Sequence, residues 1–213
     1  MRTHPFYDPI TAATDLALQN LRNMELFQWY IIPLLVIVLF IYFTEIGKKN
    51  WRAIASGLML YGIHWFVEII NAIIRPITGH ALWTVPTGSA FIILVGVGIE
   101  ISMMFSIAGI AASKILPENP KQKMFGLPAP LFVGISNALI ASVLELFLVR
   151  TPTFVWVWPW WGFFQVFILV YIPFFCGATY AYYWKPKRQI IVIGSIWVVD
   201  IVLLVVFLAL GLI

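Results

Sequence analysis

Charge is what this sequence has least of. Only 10% of its 213 residues are Asp, Glu, Lys or Arg, where a soluble domain carries about a quarter. That deficit, with 62% hydrophobic residues and a mean hydropathy of +0.96, excludes an ordinary soluble domain. Cysteine is nearly absent, and a lone Cys176 rules out an internal disulfide framework and any cysteine-based zinc site. Three histidines in all leave little with which to build a metal centre. The short alternating segments of a transmembrane barrel are missing. So are the positive n-region and small-residue cleavage site of a signal peptide, and any repeat at 20–50 residues. No connection is long enough to form a separate soluble domain. A net charge of +4 does not point to nucleic acid, because the basic residues sit in short clusters between apolar runs.

What is present is a series of apolar runs near or above the ~20 residues needed to cross a bilayer. The pattern predicts an all-α, polytopic integral membrane protein with six transmembrane helices, at 28–46, 52–75, 86–113, 128–149, 157–184 and 189–213. Before that six-helix domain of residues 28–213, residues 1–27 read as an N-terminal interfacial segment. There Pro5 and Pro9 break structure, and a helix from Thr11 to Leu26 places Leu16, Leu21 and Met24 on one side. A frayed tail is the plainer alternative.

Basic residues set the predicted orientation. Lys48, Lys49 and Arg52 lie in one connection, Lys114, Lys121 and Lys123 in another, and Lys185, Lys187 and Arg188 in a third. Nine on that side face four on the other, Arg2, Arg22, Arg75 and Arg150. The positive-inside rule then places both termini on the non-cytoplasmic side of a plasma or inner membrane. Trp83 and the cluster Trp156, Trp158, Trp160 and Trp161 fit an aromatic belt at the outer boundary.

Polar residues inside apolar runs carry the functional signal. His64, Glu68, Asn71 and Arg75, spaced by four, three and four residues, fall on one face of the second span. Ionisable groups are costly there, so they mark a site by default. Of nine acidic residues, four lie well inside predicted spans: Glu68, Glu100, Glu145 and Asp200. Against them stand Arg75 and a titratable His64, so the acids cannot all be ionised in a low-dielectric interior. Either some carry protons or a cation supplies the missing charge. His64, Glu68 and Glu100 are the candidate catalytic residues. Asn71, Trp65, Trp161, Gln165, Glu145 and Asp200 are candidate substrate-binding residues. Plainer roles compete: His64 as interhelical glue, Arg75 as a snorkelling anchor, His80 as a solvated loop residue, and Asp200 as a partner for a neighbouring chain.

The stretch Ile63-His64-Trp65-Phe66-Val67-Glu68 resembles the second-span motif of the emopamil-binding-protein family, the sterol isomerases of the EXPERA group. Glu100 stands where that family has a second glutamate, and Gln165 to Pro173 looks like its fifth-span motif. Gln165 replaces an asparagine, Ile168 replaces a tryptophan, and the sixth span, Glu145 and Asp200 are extra. The resemblance implies a lipid-, sterol- or isoprenoid-binding isomerase. In it Glu68 or Glu100 donates a proton to a double bond and the other withdraws one. His64 would orient the pair, and Trp65 or Trp161 would face a carbocation, with no metal or cofactor. The expected partner is a membrane lipid or hydrophobic small molecule, with a homo-oligomer or partner membrane subunits possible. Three other readings stay open: a proton- or cation-coupled carrier, a non-catalytic membrane subunit of a larger complex, and a metal-dependent membrane enzyme.

Overall fold

The computed structural model describes residues 9–213, and side chains from residue 11. Arg2 and Pro5, used above, lie outside that range. Seven helices form the body: α1 (Pro9–Gln19), α2 (Ile31–Gly47), α3 (Trp51–Thr78), α4 (Ile99–Ser113), α5 (Ala129–Leu148), α6 (Phe163–Tyr182) and α7 (Pro186–Ala209). Among the described residues, α3, α5, α6 and α7 are long and apolar enough to cross a membrane. The apolar helices α2 and α4 are shorter, at 17 and 15 residues. At about 1.5 Å per residue α4 reaches only about 22 Å, less than a ~30 Å hydrocarbon core.

The expected third span, 86–113, is therefore corrected. Only Ile99–Ser113 is helical, and the chain before it runs through the short strands β1 (Trp83–Thr84), β2 (Ile92–Leu94) and β3 (Val97–Gly98). Pro86, Gly88, Gly96 and Gly98 explain the loss of helix, since each weakens or breaks one. Gly88 has φ of +77°, a conformation that glycine reaches without steric cost. This cap is nonetheless buried: Ala81, Thr84, Val85, Ala90, Leu94 and Val97 are at most 2% exposed. Non-helical backbone near a membrane core survives only when protein covers it and satisfies its polar groups. Here β2 pairs with β3. β1 pairs with β6 (Val155–Trp156), which precedes α6. The Arg22 amide donates to the Ile92 carbonyl at 2.9 Å, and the Asn20 side chain to the Pro86 carbonyl at 2.8 Å. The N-terminal segment is thus tied to the cap, with Ala17 fully buried against Ile69 and Ala72.

A second hairpin, β4 (Lys123–Met124) with β5 (Leu127–Pro128), joins α4 to α5 at the other end. At that end Lys114 pairs with the buried Glu45 at 2.5 Å, and Asn50 donates to the same carboxylate at 2.6 Å.

Helix α3 is the central post, packed by α4, α6 and α7. Small residues let it pack so closely. A Cβ on Gly109 of α4 would lie 2.3 Å from the Ser56 carbonyl oxygen, and the Ser56 hydroxyl donates to the Gly109 carbonyl at 2.9 Å. Gly109→Val should therefore cost about 2–3 kcal/mol by forcing two backbones apart, seen as a lower melting midpoint in detergent. A variant melting with the wild type would mean that α3 and α4 do not meet there.

Helix α6 contains a π-helical stretch, Val166–Tyr171. Pro173 follows it, has no amide hydrogen for the Leu169 carbonyl, and presses its ring toward that turn. Widened π turns accommodate such a residue and often mark functional positions.

Candidate functional site

Beneath the cap lies a narrow cavity of about 40 Å³ bounded by α3, α4, α5 and α6. Helix α3 supplies His64 and Glu68, one turn apart. The His64 ring stacks on Phe105 of α4 with centroids 4.4 Å apart and meets Phe174 of α6 edge-on at 5.8 Å. Its Nε2 is buried and has no hydrogen-bond partner. Glu68 accepts a bond from the Trp83 indole at 3.3 Å through Oε1, while Oε2 is buried without a partner. Two residues lining one cavity thus each carry a buried polar atom without a partner.

Helix α5 brings a second carboxyl, Glu145, which is 6% exposed. The Trp156 indole donates to its Oε1 at 2.6 Å, and the Tyr171 hydroxyl donates to its Oε2. Tyr171 comes from the π stretch of α6, so the distorted turn delivers a cavity residue. Among the described residues, no Lys or Arg lines the space, so the two carboxyls border it without a counter-charge.

The remaining predicted residues are placed as follows. Asn71, on the same face of α3, fastens the cap: its side-chain oxygen accepts from the amides of Leu82 (2.8 Å) and Trp83 (3.3 Å), and its nitrogen donates to the Trp83 carbonyl (3.0 Å). Gly96 is where the cap comes closest, because a Cβ there would lie 2.2 Å from Asn71 Nδ2 and 2.7 Å from Glu68 Oε2. Trp161 stacks behind Trp83 with centroids 5.6 Å apart. Trp65 packs toward α7, beside Leu203 and Leu204. Gln165 is half-buried in the first turn of α6 and does not line the cavity.

Glu100 is also outside the cavity. It begins α4 and accepts bonds from the Ser89 hydroxyl (2.5 Å), the Ala90 amide (2.7 Å) and the Tyr30 hydroxyl. Asp200 is 1% exposed on α7, with neither carboxylate oxygen partnered, and does not line the cavity. Arg75 donates to the Leu212 carbonyl at 3.0 Å and so ties α3 to the end of α7. His80 meets Thr14 at 3.3 Å and Trp158 edge-on. Among the described residues, no three His, Cys, Asp or Glu side chains gather as a metal-ligand set.

Sequence reasoning missed Tyr171, Phe105 and Phe174, and it read Trp83 and Trp156 only as belt residues. A lone tyrosine two residues before Pro173 in an apolar run was the available signal for Tyr171.

The cavity is closed above by Trp83 and Phe154 and lined deeper by Phe105 and Phe174. At about 40 Å³ it has room for about three waters. A way in lies between α4 and α5, which scarcely touch. There the lining residues Met104 and Leu148 are 49% and 40% exposed on the outer surface.

A model described as an uncharacterized membrane protein family matches residues 11–209. An uncharacterized protein of Archaeoglobus fulgidus is 41% identical over 202 residues, which cover 92% of this chain and 96% of that protein. No solved structure matches. The family match and this relative overturn the resemblance to the EXPERA and emopamil-binding-protein group. It rested on short polar patterns that apolar helices can share, and two of its anchors, Glu100 and Gln165, stand off the cavity.

Proposed function

We propose, for a chain that belongs to an uncharacterized membrane protein family and is an integral membrane protein, that the cavity is an acid–base site acting on a thin apolar substrate drawn from the bilayer. The observation that carries this reading is the pair of open atoms, His64 Nε2 and Glu68 Oε2, buried one helical turn apart at one cavity. A charge isolated in such surroundings is expensive, and no cation lines the space, so Glu68 enters as the neutral acid.

The chemistry balances without a cofactor. Glu68 gives its proton to one carbon of a carbon–carbon double bond, which leaves the cation on the other, and His64 Nε2 takes a proton from the saturated carbon attached to that cationic centre. The double bond moves by one position, and the proton returns from His64 to Glu68 along one turn of α3. Phe105, Phe174 and Trp83 offer π faces to a cationic carbon between the two transfers. Glu145, held by Trp156 and Tyr171, presents fixed carboxyl oxygens whose partial negative charge favours such a cation.

Size and access narrow the substrate. Room for about three waters does not admit a fused-ring molecule, but a chain end entering between Met104 and Leu148 fits once those side chains turn aside. The basic connections lie at the end of the bundle away from the cap, which supports a cavity nearer the non-cytoplasmic face.

Mass spectrometry of lipids retained after gentle extraction tests this reading. An unsaturated chain-bearing lipid should accompany the wild type, and Leu148→Trp should reduce its yield at least fivefold. Equal retention by the wild type and Leu148→Trp, or no retained apolar molecule at all, would remove the proposed entry route.

A further inference from the structure

The end of the molecule opposite the cap holds a recess of about 430 Å³ where the α2–α3 connection meets the α6–α7 connection. Lys49, Arg52 and Lys185 line it, together with Asn50, Tyr183 and Trp184, and no acidic side chain does. The three cationic residues are exposed. Lys185 caps the start of α7, whose first amide groups add positive potential there.

An apolar groove of about 390 Å³ continues from this recess between α3 and α7. Trp51, Pro186 and Gln189 line both spaces, and Ile54, Leu58 and Ile190 line the groove beyond. Its far wall includes Gly194, where an added Cβ would meet nothing within 4 Å. Positive charge at the membrane boundary, running directly into an apolar channel along two helices, complements one kind of molecule. That molecule has an anionic head and a long hydrocarbon chain. Basic pockets between transmembrane helices bind such head groups.

We infer that this composite recess binds one anionic membrane lipid, its phosphate among Lys49, Arg52 and Lys185 and one chain along the groove between α3 and α7. The site is separate from the acid–base cavity and shares no residue with it. The bound lipid would pin the start of α7 to α3, the helix that carries His64 and Glu68.

Native mass spectrometry on the full chain, delipidated in uncharged detergent, tests the assignment with three probes: phosphatidylglycerol, phosphatidylcholine and inorganic phosphate. Phosphatidylglycerol should bind at least tenfold more tightly than phosphatidylcholine. The K49A/R52A/K185A variant should lose on the order of a hundredfold in that affinity, about fivefold per charge removed. Gly194→Phe adds bulk to the groove from a position where a Cβ meets nothing within 4 Å, so it should weaken phosphatidylglycerol binding while the lipid-free protein melts as before. Equal binding of the two lipids, or undiminished binding in the triple variant, overturns the inference. So does phosphate binding as tightly as the lipid with Gly194→Phe without effect, which would make this a site for a free anion.

Discussion

Asn71→Leu is expected to cost about 3 kcal/mol and to detach the cap from the helix bundle. The side chain is 1% exposed and satisfies three backbone groups of residues 82 and 83 at once. Leucine fills a similar volume but pairs with none of them, and each buried group left unsatisfied costs about 1–3 kcal/mol. Relaxation of the short strands offsets part of that sum, because β1 retains its partner β6. Trp83 sits on the loosened segment and is the cavity's upper wall, so the loss reaches the site as well as the fold. Tryptophan fluorescence during thermal unfolding should show a lower midpoint and, below the transition, a more solvated indole signal. Asn71→Asp keeps the oxygen and should retain the two bonds from the backbone amides. If Asn71→Leu instead melts with the wild type, Asn71 is not what secures the cap.

The second large effect concerns chemistry. Glu68→Gln preserves an oxygen that can accept from the Trp83 indole, and so it should fold normally while losing the proton that the site needs. His64→Phe keeps the aromatic packing against Phe105 and Phe174 but removes Nε2. A positioned general acid or base typically contributes 10²–10⁴-fold, so each variant should slow conversion of the retained lipid by about that much. The double variant should be little worse than either single one, because the two groups act in one proton circuit. Glu100→Gln, outside the cavity, should leave the rate within a few-fold of wild type. Losses of the same size in Glu100→Gln and Glu68→Gln would show that the cavity is not where the chemistry occurs.

Much of the architecture was legible in the sequence, and the exceptions share a cause. Long apolar runs marked α3, α5, α6 and α7, and the pair His64 and Glu68 marked the face of α3 that borders the cavity. Hydropathy reports burial without saying what does the burying. Residues 81–98 are as apolar as a span, yet they are covered by α1, α3 and the strand before α6 instead of by lipid. Pro86, Gly88, Gly96 and Gly98 were the visible warning. The exchange of Glu100 for Glu145 has a related origin. Depth along a helix does not report which way that helix is rotated, and only packing turned Glu145 toward Tyr171 while Glu100 closed a hairpin. Trp83 and Trp156 illustrate a third limit. Tryptophan at a membrane boundary has an ordinary reason to be there, so nothing local reveals that these two indoles donate to buried carboxyls.

The central claim is that His64 and Glu68 move protons to and from carbon. Its most direct measurement is deuterium uptake by lipid. The wild-type chain, reconstituted in vesicles of its native membrane lipids, is incubated in deuterated water, and the extracted lipids are weighed by mass spectrometry. The account predicts deuterium that does not wash out, confined to unsaturated chains and absent with Glu68→Gln. Lipids that leave the wild type without carbon-bound deuterium, or label that persists undiminished in Glu68→Gln, would contradict it.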